Sequence, residues 1–231
     1  MSTYKELIYL VLDELKLTSD DAGFTEDHVM FLLDKYRSFI LKQRYSDIKK
    51  QIPESNYQTI CIDLIEVSSI EGNECECDRY LRSKSKIPFL MQIGSPRVYP
   101  IDYYKGTISY ISRDRMIYVG YNKYLSNIIY CSLGPDNYLY FKSGNPQFLY
   151  LQKVRLTGIF QDSLKATELQ CPDSNGLTVC DPADRQFPIE EALIPPLIDL
   201  IVKELTGAVY KPNDSNNNAS DDLSEVAIKG K

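Results

Sequence analysis

The sequence predicts an α+β fold, because the hydrophobic pattern changes twice along its 231 residues. Apolar residues recur at helical spacing near the N-terminus, alternate at strand spacing through the middle, and gather into a compact apolar run near the C-terminus. We therefore divide the chain into an N-terminal helical hairpin (1–53), a β-rich body (54–186), a C-terminal apolar helix (187–207) and an extended polar tail (208–231).

Two antiparallel helices are predicted at the N-terminus. The first, over residues 3–17, carries one apolar stripe formed by Leu7, Ile8, Val11, Leu12 and Leu15. The second begins at Thr25, whose hydroxyl suits an N-cap, and must end by Ile52, because Pro53 disfavours helical geometry in the residue before it. Its predicted stripe consists of Val29, Leu32, Leu33, Tyr36, Phe39 and Ile40.

The middle of the chain predicts an antiparallel β-meander. Apolar alternation from Tyr57 to Ile65 indicates a first strand, and residues 87–93 a short edge strand. Further strands are expected at 107–112, 115–120, 127–133, 137–142 and 147–160. Turn-forming residues separate them at 113–114, 134–136 and 143–146. A closed barrel and a two-sheet sandwich both fit this pattern.

A third helix is predicted from Pro195 to Thr206, with Gly207 at its C-terminal cap. It is apolar on nearly every side, so it must be buried against the rest of the chain or against a neighbour. Its candidate docking residues are Leu197, Ile198 and Ile201. In the tail, Val226 and Ile228 belong to a short β-prone segment suited to adding a strand to a neighbour, and we expect neighbouring chains to order this tail.

Composition argues against an enzyme and against a membrane protein. The net charge is −6 and the chain holds one histidine, His28, with no phosphate-binding loop or nucleophile motif, so we expect no catalytic site and no cofactor. No secretory signal is expected at the N-terminus, and the apolar run from Ala192 to Val202 is too short to span a bilayer. Cytosolic synthesis follows. The 18 tyrosines suit either surfaces buried on assembly or a tyrosine-rich sheet.

The six cysteines allow one alternative function. Cys61 and Cys131 fall in strand patterns and are expected to be reduced core residues, with no disulfides needed in a chain of this size. The alternative is a metal-stabilised module or enzyme in which four thiolates bind zinc, namely Cys75, Cys77, Cys171 and Cys180. Their spacing departs from that of compact zinc knuckles, and inert loop thiols fit the same pattern.

Basic residues follow the second helix at regular spacing. Lys35, Lys42 and Lys49 are seven residues apart, as are Arg37 and Arg44. A helix face that lines a DNA passage would show this pattern, because cations neutralise phosphates without reading sequence. An ordinary solvated helix face would show it too.

Several segments give the chain a resemblance to structural proteins of crAss-like bacteriophages. They are residues 4–8 (YKELI), 12–15 (LDEL), 24–29 (FTEDHV), 32–37 (LLDKYR), 50–58 (KQIPESNYQ), 187–191 (FPIEE) and 212–214 (PND). The resemblance is to head–tail connector, or neck, proteins that form rings beneath the portal.

The resemblance implies a non-enzymatic virion protein made in the host cytoplasm. It implies a homo-oligomeric ring, plausibly a dodecamer, around a passage for double-stranded DNA, bound to the portal protein and to other neck or tail proteins. No membrane partner and no catalytic residue is implied.

Overall fold

The computed structural model describes residues 2–18, 24–47, 50–67, 80–101, 107–120, 122–171 and 181–209, and it confirms the α+β class. The helices are α1 (Tyr4–Thr18), α2 (Glu26–Arg44), α3 (Arg113–Met116), α4 (Ser163–Glu168) and α5 (Ile194–Val209). The strands are β1 (Gln58–Val67), β2 (Tyr80–Ser83), β3 (Arg97–Pro100), β4 (Thr107–Tyr110), β5 (Ile128–Leu133), β6 (Leu139–Lys142) and β7 (Lys153–Gly158).

The three long helices α1, α2 and α5 share one hydrophobic core. Their apolar stripes meet there, with Leu7 and Val11 of α1, Leu33 of α2 and Leu197 and Ile201 of α5 all at most 1% exposed. As predicted, Thr25 caps α2 by accepting from the backbone N–H of His28. This layer therefore forms because the 3.6-residue spacing of apolar side chains places them all on facing surfaces.

One helix end differs from the prediction. Helix α2 ends at Arg44, within the limit set by Pro53; Tyr45, the next residue, leaves helical geometry and its hydroxyl donates to Glu190 at 2.5 Å. Helix α5 starts at Ile194 with the prolines in its first turn, as expected, but continues past Gly207 to Val209. Gly207 is therefore inside the helix rather than at its cap.

The seven strands form one sheet in the order β3-β7-β1-β2-β6-β5-β4. Neighbouring strands are antiparallel except β4 and β5, which are parallel, with Thr107 opposite Ile128 and Tyr110 opposite Cys131. The two edge strands, β3 and β4, lie against each other, so the sheet closes nearly into a barrel. A second core fills it, built from residues such as Ile60, Phe141 and Leu156.

Several strand predictions in the body are wrong. Residues 115–120 form no strand, because a parallel pair cannot be joined by a tight turn, and the connection between β4 and β5 holds α3 instead. The predicted strand over 147–160 divides into a 3₁₀ helix at 146–150 and β7. Residues 87–93 contribute one isolated bridge, Leu90 to Phe160. Strands β2 and β3 were not predicted.

Candidate assembly surfaces

Arg37 anchors helix α2 to the rest of the fold. Its side chain is 0% exposed, and its guanidinium donates from Nε to the Pro188 carbonyl at 2.7 Å and from Nη1 to the Phe160 carbonyl at 2.8 Å. A third bond runs from Nη2 to the Asn56 carbonyl at 3.2 Å. The prediction that Arg37 faces a DNA passage is wrong, because its side of α2 packs onto the body of the protein.

Asp34 extends this buried polar network. The backbone N–H of Ser163 donates to both carboxylate oxygens of Asp34, at 3.0 and 3.1 Å, and the Ser163 hydroxyl donates to the same carboxylate. The Tyr4 hydroxyl lies 2.6 Å from Ser163 Oγ. Burial raises the pKa of Asp34, although its hydrogen bonds from Ser163 and the charge of Arg37 oppose that rise. Burial lowers the pKa of Arg37. The network ties α1, α2 and α4 together.

The other predicted DNA-facing residues lie on exposed parts of the helical layer. Lys35 pairs with Glu204 of α5 at 3.1 Å, and Arg44 pairs with Glu190 at 3.5 Å. Lys42 is exposed and makes no ion pair with the described part of the chain. Lys49 lies outside the described residues. Three of the five predicted basic residues therefore occupy positions from which a neighbour or DNA can be reached.

The predicted docking residues of α5 are core residues. Leu197, Ile198 and Ile201 are buried against α1 and α2, so their proposed role in docking is wrong. The apolar character of α5 is explained by packing within the chain. Val226 and Ile228 lie outside the described residues. None of the helices in the described ranges has the length and apolarity needed to cross a membrane.

Two further predictions, both about cysteines, are wrong. Cys61 on β1 forms a disulfide with Cys171, so Cys61 is not a reduced core residue and Cys171 is not a free thiolate for zinc. The bridge between Ile60 and Gln170 brings the two cysteines together. Cys131 is buried as predicted, and burial raises its pKa.

The rest of the predicted zinc site cannot be placed. Cys75, Cys77 and Cys180 lie outside the described residues. Within the described ranges, no group of His, Cys, Asp or Glu side chains is arranged to hold a metal ion.

Large apolar side chains are exposed on the outer face of α2 and beside it. Phe31 and Phe39 are 62% and 56% exposed, and Phe89 is 59% exposed. Phe39 was predicted to join the buried stripe of α2, but it lies on the other side of the helix. The phenylalanine side chain has no polar group that could hydrogen-bond to water. A surface that exposes three phenylalanines is therefore a candidate for burial against a partner.

A second exposed surface lies at one end of the sheet, in the loops around β5 and β6. We define the tyrosine surface as Ile117, Tyr118, Tyr124, Leu125 and Tyr150, of which the three tyrosines are each more than 80% exposed. The loops that carry them are held together, because Ser143 donates to the carbonyls of Ser126 and Ile128 at 3.2 and 2.9 Å. Sequence reasoning missed this surface because residues 115–120 were assigned to a strand; the tyrosine count was the available signal.

A groove opens at the C-terminal end of α2. We define the α2 groove as the cavity of about 810 Å³ lined on one side by the end of α2 and the segment after it, and on the other by residues 89–95. Its described charged residues are Lys42, Asp47 and Lys50, and its apolar residues include Ile52, Tyr57, Phe89, Met91 and Ile93. The groove thus combines excess positive charge with an apolar floor.

Comparison with known proteins finds similarity across nearly the whole chain. A family model described as phage tail ring protein 2 matches residues 6–223. A curated protein named Ring protein 2, from Bacteroides phage crAss001, is 66% identical over 224 residues, which cover 97% of this chain and 99% of that protein. The similarity therefore includes the helical layer, the sheet and most of the C-terminal tail.

Proposed function

The chain belongs to the phage tail ring protein 2 family, and from this premise we propose that it builds one ring of the virion's head–tail connector. As a phage ring protein it is a structural component of the virion that assembles with copies of itself. Under this proposal, twelve copies of the chain form a ring around the DNA passage near the portal, in contact with the portal protein and with other neck or tail proteins. The chain has a purely structural, non-enzymatic role and is synthesised in the cytoplasm of the bacterial host.

The exposed aromatic residues are the observation that carries the proposal. A closed ring of more than two identical subunits needs two different patches on each subunit, one for each neighbour. The tyrosine surface and the outer face of α2, with Phe31 and Phe39, are two such patches on separate elements. Aromatic residues are enriched in the buried centres of protein interfaces, which supports an assembly role for both patches.

A DNA passage is the second part of the proposal. We assign contact with the phosphate backbone to Lys35, Lys42, Lys49 and Arg44, and we exclude Arg37 because it is buried. Among the described members of this set, Lys35 and Arg44 pair with carboxylates and Lys42 does not, so Lys42 is the most available of the three for a phosphate. Contacts of this kind are independent of base sequence, as a passage for a whole genome requires.

Assembly of the purified chain tests the ring. Native mass spectrometry and negative-stain microscopy should show a closed ring, plausibly of twelve copies, either at rising protein concentration or on addition of the portal protein. A chain that remains monomeric with the portal present would contradict the connector proposal. A ring that forms but does not bind the portal would support the ring and contradict its proposed position next to the portal.

A further inference from the structure

The α2 groove is incomplete as a surface of a single subunit. Its walls carry the cations Lys42 and Lys50 against one acid, Asp47. Phe89 stands 59% exposed at its rim, whereas Met91 and Ile93 form its floor at 8% and 9% exposure. A groove with this lining fits a segment that has both acidic and apolar side chains.

The backbone of one wall has unpaired polar groups. The backbone N–H of Met91 donates to the carbonyl of Ile159, and the backbone N–H of Gln161 donates to the carbonyl of Phe89, at 2.8 Å each. Beyond Met91, the backbone groups of residues 92–95 form no hydrogen bond with other described residues. Gln92, Gly94 and Ser95 are exposed, so their backbone donors and acceptors are accessible, and an added extended peptide can pair with them.

The C-terminal tail has the matching chemistry. Residues 221–228 read DDLSEVAI, with three acids, Asp221, Asp222 and Glu225, and four apolar residues, Leu223, Val226, Ala227 and Ile228. The acids match Lys42 and Lys50 in charge, and the β-prone end at 226–228 suits pairing with an unpaired backbone wall. Lys35, by contrast, already has a carboxylate partner in Glu204.

The tail is also long enough to leave its own subunit. Lys35 contacts Glu204 of α5, whereas Arg44, nine residues later, contacts Glu190 just ahead of α5. Helix α5 therefore runs antiparallel to α2, and its end at Val209 lies away from the groove, by roughly 20 Å on helical rise. The link from Val209 to Asp221 extends to about 40 Å. A segment that reaches this far can enter the groove of a neighbouring copy, and a tail paired with a groove gives the two distinct complementary surfaces that a ring requires.

We propose that the α2 groove of each subunit binds residues 221–228 of a neighbouring copy of this chain. The inference rests on the proposed function, because it takes the neighbour to be the next subunit of a ring. The tail would thus act as an arm that fastens one subunit to the next.

Photo-cross-linking in the full chain tests this contact. A benzoylphenylalanine is placed at position 89 in the groove, or at position 9 as the matched control, because Tyr9 is an exposed aromatic residue of the same helical layer that belongs to neither proposed ring patch. Unlabelled and ¹⁵N-labelled chains are mixed before assembly and irradiation. We expect mass spectrometry to find cross-links from position 89 to peptides within 221–231, with half of them joining labelled to unlabelled chains, and no such peptides from position 9.

A charge variant sharpens the test. Lys50→Glu should lower the yield of that cross-link roughly fivefold, as loss of a partly exposed charge contact would, whereas Lys203→Glu, at an exposed lysine of α5 outside the groove, should leave it unchanged. Cross-links only within one chain, or equal yields from positions 9 and 89, would overturn the inference. Native mass spectrometry of the same samples separates the two ideas: rings without the tail cross-link refute only this inference, and absence of rings refutes the proposed function.

Discussion

Replacing Arg37 by alanine should destabilise the fold more than any change to an exposed basic residue of α2. The substitution removes the three hydrogen bonds from Arg37 to the carbonyls of Asn56, Phe160 and Pro188. Each buried carbonyl left without a donor costs about 1–3 kcal/mol. Because the chain relaxes and water enters part of the space, the expected loss in the free energy of unfolding is about 3–5 kcal/mol, in the lower part of the sum of these three costs.

The effect of Arg37→Ala should also depend on pH. The Arg37 charge lowers the pKa of Asp34, so its removal raises that pKa further above the ordinary value of 3.8. A group whose pKa is raised in the folded state stabilises the fold while protonated and loses that contribution as the pH rises through the folded-state pKa. The destabilisation should therefore be larger at pH 7 than at pH 4.

Urea denaturation, followed by circular dichroism at a concentration too low for assembly, measures both effects. Low concentration matters because assembly stabilises the folded chain by mass action. The matched control is Arg44→Ala, which breaks a partly exposed pair with Glu190 and should cost at most about 1 kcal/mol. A loss for Arg37→Ala no greater than for Arg44→Ala would refute the anchor role. If Arg37→Ala does not fold, Arg37→Lys, which keeps the charge but fewer donors, should still unfold at lower urea than the control.

Three further predictions concern the disulfide, the DNA passage and the tyrosine surface. Reducing agent or Cys61→Ser should lower the free energy of unfolding by about 2–4 kcal/mol, because the bond closes a long loop; no effect of reductant on the wild-type chain would show that the bond does not form. Lys42→Glu should weaken binding of the ring to duplex DNA of any sequence. It should also reduce the slope of log binding constant against log salt concentration by roughly one per engaged subunit; an unchanged slope would show that Lys42 does not contact the DNA. Tyr118→Ser combined with Tyr124→Ser should raise the concentration for half-assembly at least about tenfold without changing the melting temperature of the dilute monomer; unaltered assembly would exclude this surface from the ring contacts.

The helices could be predicted from sequence because their information is local. The stripe through Leu7 and Val11 and the cap at Thr25 each depend on residues within a turn or two, and all appear as expected. The body was harder, because strand β4 pairs in parallel with β5 and strand β1 pairs with β7, nearly a hundred residues later. Partners that distant leave no signal in the alternation of a single strand.

The two errors at the candidate sites have different origins. Arg37 was grouped with Arg44 by spacing, yet its neighbours one turn away, Leu33, Ile40 and Leu41, are all buried. Those apolar neighbours were the signal that this arginine faces inward. The Cys61–Cys171 bond had no comparable signal, since it depends on how the segment after α4 packs beside β1.

Helix α2 distributes its residues in an unusual way, and this links the core to the assembly. A helix on the surface of a monomeric protein buries its phenylalanines and exposes its charges. In α2, Asp34 and Arg37 are buried while Phe31 and Phe39 are exposed. A buried charged network in which each group has partners permits few alternative packings, so it fixes the rotation of the helix about its axis. Fixing that rotation fixes the direction in which the outer phenylalanines point, and a closed ring repeats any angular error at every contact. In the proposed ring, the buried network would therefore set the geometry of the outer face as well as stabilise the fold.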